Sequence, residues 1–278
     1  MADMNKLLSA NFLRLRKNTC FWGCVIYMIV VAVIYPIIRY VGMKHTGYIT
    51  YLEGGFSVYA IFVPILLAIF CSLFVGREYS DGTIRNKIMI GHKRLDIYLS
   101  NLITNAIVMF LLCTIFLIVY LCVGIPLLGF FKSDVSYVLQ IVCLAYILCL
   151  AFTCIYTAVS MISSSKAISS IVCMMSVFIL IMIGIYINAR LEEPKMYPAY
   201  NVLQDGEMEE KEELNPNYLE GAKRDVYAFL NDFLPGDQVV QCASMQIEKP
   251  VVLMIYSGMI CIITSGIGIY LFKQKDLK

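Results

Sequence analysis

Charge is what this sequence has least of. Asp, Glu, Lys and Arg make up 15% of its 278 residues, against 60% hydrophobic residues and a mean hydropathy of +0.75. Soluble domains run at about 25% charged and about 45–50% apolar. A chain this poor in charge cannot hide its apolar surface inside itself, so lipid must be the solvent for much of it. Histidine is nearly absent, with only His45 and His92, and neither stands near a cysteine cluster. No Cys-x-x-Cys pair occurs, which removes the usual zinc frameworks. The sequence holds no Gly-x-x-x-x-Gly-Lys-Ser/Thr phosphate loop, no His-Glu-x-x-His helix and no Gly-x-Ser-x-Gly elbow. The chain is therefore expected to have no catalytic residues, to bind no metal and to hold no cofactor directly.

What is present is apolar length. Six runs are long enough to cross a bilayer, which takes roughly 20 helical residues. They are Cys20–Ile38, Ser57–Val75, Leu99–Val123, Tyr137–Ile162, Ala167–Asn188 and Val251–Phe272. The first is too long for a signal-peptide core, and Tyr35-Pro36 and Arg39 stand where a cleavage site would be, so it reads as a retained span. Eleven cysteines suggest a disulfide framework until they are placed. Ten (Cys20, Cys24, Cys71, Cys113, Cys122, Cys143, Cys149, Cys154, Cys173 and Cys261) fall in or beside apolar runs and read as small packing residues; only Cys242 lies in a long polar segment.

Lysine and arginine set the expected orientation. With the N-terminus in the cytoplasm, the inner segments hold 13 of the 22 basic residues, from Lys6, Arg14, Arg16 and Lys17 to Lys273, Lys275 and Lys278. The short outer loops hold only Arg39, Lys44 and Lys132. Both termini are then cytoplasmic. The expected architecture is an all-α integral membrane protein of six spans. Residues 1–19 form a cytoplasmic amphipathic helix, with Leu8, Phe12 and Leu15 on one face. Residues 20–188 form spans one to five and include a charged cytoplasmic segment, 77–95. Residues 189–250 are an extracellular insertion, and 251–278 are the sixth span and tail.

The first half of the insertion is acidic, with Glu207, Glu209, Glu210, Glu212 and Glu213 crowded together, and reads as a solvated loop. In its second half Leu219, Ala222, Val226, Phe229, Leu230 and Phe233 recur every three or four residues. That is an amphipathic helix opened by Pro216 and stopped by Pro235-Gly236. It reads either as a cap on the span ends or a second copy, or as a lid that touches substrate.

The span interiors carry almost no ionisable residue, which argues against a proton-coupled pump. Gln140, Asn105, Thr104, Thr114, Thr153, Thr157 and Ser176 are polar and read as helix-to-helix hydrogen bonders. Ser163-Ser164-Ser165 with Lys166 sits in a tight turn and reads as a connection, not a catalytic dyad. Energy must therefore come from outside the membrane part.

The densest charge near the inner face runs from Gly76 through Glu78, Tyr79, Ser80, Asp81, Gly82, Thr83, Ile84, Arg85, Asn86 and Lys87 to Lys93-Arg94. It mixes signs, which a purely topogenic loop has no need to do. Glu78 and Asp81 stand at helix-compatible spacing from Arg85, and Ile84, Ile88 and Met89 supply an apolar side. A short helix beneath the membrane with one face open to a soluble partner fits this composition.

The run Glu78-Tyr79-Ser80-Asp81-Gly82-Thr83-Ile84-Arg85, followed by a basic pair and a new span, resembles the coupling segment of ABC type-2 permeases. The surface helix, six spans and large insertion before the sixth resemble that family over most of the chain. The stretch Asp232-Phe233-Leu234-Pro235-Gly236-Asp237-Gln238 resembles permeases of Gram-positive bacteria, which export antimicrobial or amphipathic peptides or ions. The resemblance implies a plasma-membrane exporter subunit for a hydrophobic or amphipathic substrate, a peptide above all. It implies a separate ATPase subunit holding ATP and magnesium, and pairing as a homodimer or with a sister permease. It implies that Glu78, Tyr79, Asp81, Gly82, Thr83 and Arg85 couple to that ATPase. Peptide immunity or resistance is one alternative. A non-transporting scaffold or sensor is another, and it predicts no ATPase partner.

Overall fold

A computed structural model describes residues 2–202, 208–245 and 247–276. Glu207 of the acidic cluster and Lys278 of the tail lie outside the described residues. Six helical stretches are long and apolar enough to span a membrane: Thr19–Thr46, Glu53–Ser80, Arg94–Leu128, Val135–Ile162, Lys166–Glu192 and Pro250–Gln274. Each contains or closely matches one expected run, in the expected order. The helices outlast the apolar runs because their polar ends continue the backbone ladder beyond the hydrocarbon.

Helix α1 (Ala2–Arg16) precedes the bundle, and α2 (Thr19–Thr46) is the first span. Asn18 separates them; its Oδ1 accepts from the amides of Cys20 and Phe21, capping α2. The second span combines α3 (Glu53–Phe56) with α4 (Tyr59–Ser80). The short α5 (Thr83–Met89) follows, then α6 (Arg94–Leu128), α7 (Val135–Ile162) and α8 (Lys166–Glu192). The last span is α11 (Pro250–Gln274). The second span is the hub of the bundle, 72% buried over its apolar window, packed against α7 and α8; α11 runs along α7 and is only 17% buried. Beyond smaller contacts with α6 and α9, much of its surface is exposed.

Helix α1 does more than lie on a leaflet. Its buried face is Leu7, Asn11 and Leu15, packed on α6, whereas Phe12 is 38% exposed. The stripe at i, i+4 and i+8 displaces the expected Leu8–Phe12–Leu15 face.

The insertion differs most from expectation. Its acidic half is a hairpin, β1 (Met196–Val202) antiparallel to β2 (Met208–Leu214), with Met196 opposite Leu214. Backbone pairing satisfies the same peptide groups whatever the charge of the side chains. Pro216 opens no helix. Asn215 takes up that position as a turn, its Oδ1 accepting from the Asn217 amide at 2.8 Å. Helix α9 (Ala222–Phe233) starts six residues later. The expected stop at Pro235-Gly236 holds: α9 ends at Phe233, just before it, and the chain goes on. Extended Leu234 turns it, and Pro235 opens a second short helix, α10 (Pro235–Ser244).

Helix α10 is wedged among the spans. It packs on α8, α7, α4 and α3, and Pro235 through Val239 are buried. It comes that close because two glycines meet: a Cβ on Gly236 would lie 1.9 Å from the Leu180 carbonyl oxygen, and one on Gly184 would lie 2.6 Å from the Gly236 carbonyl carbon. Gln238 and Gln241 donate to the carbonyls of Asp232 and Asn231, both at 2.7 Å, which folds α10 back on α9. Ser257 of α11 donates to Gln238 Oε1. Tyr137 of α7 donates to the Met245 carbonyl at 2.8 Å and accepts from the Ile247 amide at 3.2 Å, fixing the link to α11. Cys242, read as solitary in a polar segment, is buried here as an apolar packing group, and all eleven cysteines are free. Asp237 is fully buried, and neither carboxylate oxygen has a hydrogen-bond partner among the described residues. Burial pushes its carboxyl up to about 7.

Gly236→Ala is expected to destabilise the purified protein by about 1–3 kcal/mol, since backbone cannot give way as a side chain does. Gly258→Ala, with open space at its Cβ, should be neutral. Equal losses of melting temperature in the two variants would contradict this packing. Asp237 supplies a pH dependence. Its folded pKa is raised, so the folded state binds more protons, and stability present below the unfolded value is lost as pH rises through about 7. Asp237→Asn should therefore raise the melting temperature more at pH 8 than at pH 5.

Candidate functional site

The charged segment between α4 and α6 converges on two adjacent side chains at the end of α4. Chain direction changes at Asp81-Gly82. Gly82 adopts φ +66°, a left-handed conformation that glycine enters freely, while its Cβ position faces open space. The demand here is conformational and not steric. Thr83 locks the turn, its Oγ1 donating to the Glu78 carbonyl at 3.0 Å. Helix α5 then folds back beneath the bundle, with Ile84 buried against it.

This reversal decides which charges meet. A continuous helix would set Arg85 against Asp81, but the turn carries Arg85 out to solvent and brings Lys87 in. Glu78 is fully buried and pairs with Lys87 of α5 and with Arg14 of α1. Arg14 also donates to the Phe74 carbonyl at 3.2 Å and lies over the Phe74 ring, 4.7 Å from its centroid. The second oxygen of Glu78 accepts from Asn101 of α6 at 2.9 Å. Asn101 in turn accepts from Asn11 of α1 at 3.1 Å. One carboxylate thus ties α1, α4, α5 and α6 together. Both oxygens are occupied, as burial of a charge requires.

The next residue faces the other way. Tyr79 donates through its hydroxyl to the Met161 carbonyl at the end of α7. Lys275, just past α11, donates to the same hydroxyl at 2.9 Å and lies 4.0 Å from the ring centroid. Burial pushes the Lys275 ammonium down to about 8. Arg94, at the start of α6, caps the end of α11 by donating to the carbonyls of Phe272, Lys273 and Lys275 at 3.2, 2.8 and 2.6 Å. Both ends of the chain therefore meet at this end of the bundle.

The named residues separate into two sets. Glu78, Tyr79 and Thr83 point into the bundle and join helices. Asp81, Arg85, Asn86, Met89 and Ile90 are exposed, with Met89 71% and Ile90 78% exposed. Arg14, Asn11, Asn101 and Lys275 were not singled out as site residues by sequence. The available signal was Asn11, a polar residue at the centre of the apolar stripe Leu7–Asn11–Leu15. Higher in the bundle, Asn105 donates to Thr157 at 2.9 Å, and Thr114 bonds Tyr146 at 2.9 Å, so these polar span residues join α6 to α7. Among the described residues no group of His, Cys, Asp or Glu is placed to hold a metal ion.

The family model described as ABC-2 family transporter protein matches residues 7–187. That is 181 of the 278 residues, counted from 7 through 187. It spans the end of α1 that carries Asn11 and Arg14, the Glu78–Tyr79 junction and the first five spans. No curated protein matches the chain.

Removing Glu78 leaves Lys87, with its side chain 15% exposed, beside Arg14 without a counter-charge. Glu78→Ala should cost about 3–5 kcal/mol in denaturant unfolding. Glu78→Ala combined with Lys87→Ala should lose less than the sum of the single variants, by at least about 0.5 kcal/mol. Additive losses would show that the two side chains do not share one network.

Proposed function

The chain belongs to the ABC-2 family of transporter proteins, and from that premise we propose that it is an exporter permease driven through α5 by a separate ATPase subunit. As a multi-pass permease subunit it carries no phosphate loop, so nucleotide hydrolysis falls to the partner. In this reading the end of the bundle bearing α5 and both termini is cytoplasmic, in the plasma membrane of a Gram-positive bacterium. Two copies, or one copy and a sister permease, associate through spans whose outer faces are unburied.

The observation that carries the proposal is the division of the charged segment into an outward set and an inward set. Asp81, Arg85, Met89 and Ile90 form an exposed face of mixed polarity with two large apolar side chains, suited to a cleft on a soluble partner. Glu78, Tyr79 and Thr83 transmit movement of that face. Glu78 is buried, so its part is transmission and not contact with the ATPase. A push on α5 moves Lys87 and with it Glu78, and so bears on α1, α4 and α6. Through Tyr79 it bears on α7 and α11 as well. Rigid helices then carry the displacement to the other end of the membrane.

The cargo is read as hydrophobic or amphipathic, a peptide above all. Buried polar groups inside the described spans, among them Asn105, Thr157 and the hydroxyls of Tyr59, Tyr98 and Tyr156, are uncharged, leaving no ring of fixed charge such as a small ion would need.

The two sets should separate in experiment. Ile90→Asp and Arg85→Glu are expected to abolish co-purification with the cognate ATPase while leaving the melting temperature within about 2 °C. Glu78→Gln keeps the shape but removes the charge; it should retain the ATPase and lose most ATP-dependent transport. Retention of the ATPase by Ile90→Asp would rule out this docking face. Unchanged transport by Glu78→Gln would remove the transmission role.

A further inference from the structure

Helix α9 is inside out for a segment surrounded by water. Ala222, Val226, Phe229 and Phe233 recur at spacings of four, three and four residues and form one apolar face. Val226 is 55% exposed and Phe229 52% exposed, and no residue of α9 is buried. The opposite side, with Arg224, Ala228, Asn231 and Asp232, lines a half-open cleft against the end of α8 and the link to α11. Polar groups thus face the protein and apolar groups face away from it. A helix on a water-exposed surface arranges them the other way round.

Two neighbouring spans gauge the depth of this helix. No charged residue occurs in α8 between Lys166 and Arg190, or in α11 between Lys249 and Lys273, a stretch of 23 residues in each. Each stretch is about 35 Å of helix, enough for a hydrocarbon layer of about 30 Å. Arg190 and Lys249 therefore mark the same edge of that layer. Helix α9 descends from this edge along α8. Arg224 donates to the Leu191 carbonyl at 3.3 Å, Tyr227 meets Tyr186, and Gly236, just past the helix, rests on the Leu180 carbonyl. Leu180 stands ten residues before Arg190, which is about 15 Å deeper. The second gauge agrees. The rings of Phe229 and Phe233 pack edge-on against Tyr256, at centroid distances of 6.1 and 5.6 Å. Tyr256 stands seven residues after Lys249, about 10 Å below the edge.

The charge profile of α9 follows this descent. Its exposed charges, Lys223 and Asp225, lie in the first turn, and beyond them the outward side is Val226 and Phe229. That gradient matches passage from headgroups into hydrocarbon; a soluble partner would not require it. Through Tyr256 the face is also continuous with the flank of α11, where Ile255 and Met259 are exposed.

We propose that α9 and the start of α10 form a re-entrant hairpin in the leaflet farthest from α5, with Val226, Phe229 and Phe233 against lipid acyl chains. The helical half of the insertion is then a membrane element, and α9 is a partition with lipid on one side and a polar cleft on the other. The proposal needs only the six spans and goes beyond the exporter reading, which its test leaves untouched.

The test uses the full chain in lipid nanodiscs. Trp22 is the sole tryptophan, so Phe229→Trp in a Trp22→Phe background carries one reporter. Its emission is expected to be blue-shifted, lost in phosphatidylcholine brominated on its acyl chains, and insensitive to aqueous iodide. Lys223→Trp in the same background should be quenched by iodide. A variant-free arm uses phosphatidylcholine with a diazirine at the end of an acyl chain. Photolysis should leave adducts on Val226, Phe229 or Phe233 of the unaltered protein, located by mass spectrometry. Iodide quenching at 229 equal to that at 223 would mean a water-exposed helix and overturn the proposal. Quenching at 229 by neither agent would mean cover by a second copy and overturn it too. So would adducts on α11 with none on α9, a result that misfolding of a variant cannot produce.

Discussion

A carboxylate without water must have its charge answered within the protein, and the end of this bundle that carries both termini is built around that requirement. Glu78 stands at the end of the most buried span. Its charge is answered by Arg14 from the surface helix, Lys87 from the short helix beneath the bundle and Asn101 from the third span. None of these can move far without exposing another to an unpaired state. Electrostatics here make four separate elements behave as one body. The neighbouring Tyr79 extends that body to α7 and to the tail of α11. A junction that is costly to separate is also an efficient place to apply force, because displacement is not absorbed by local rearrangement.

The opposite end follows a different rule. The wedge helix α10 is held by contact of bare backbone at Gly184 and Gly236 and by amide side chains that return to main-chain carbonyls. Little charge is used to hold it, and the one buried carboxylate there, Asp237, has no partner among the described residues. The two ends thus differ in what stabilises them: compensated charge near the termini, close steric fit in the insertion.

Much of the fold was legible from hydropathy alone. Six apolar runs gave six helices in order, because twenty or so uncharged residues have no other stable arrangement in lipid. The site was legible in part. Composition marked the segment from Glu78 to Arg85. Which cation reaches Glu78 was not legible, since one left-handed residue exchanges the local candidate Arg85 for the more distant Lys87. Arg14 was hidden among topogenic charges, where one basic residue looks like another. Helix α10 was hidden for a different reason. Ten residues opening Pro-Gly-Asp-Gln have the composition of a surface turn, and only the tertiary fit of Gly236 against Leu180 makes them interior. The hairpin escaped notice because its acidic strand owes its order to a partner and not to its own pattern.

The wedge also constrains the order of assembly. Helix α10, at ten residues, is far too short to be retained by the membrane as a span during synthesis. Its Gln238 is bonded by Ser257, which belongs to the last span and is made afterwards. Final seating of α10 therefore waits until α11 is in the bilayer. The insertion thus completes its packing only after the last helix has been made.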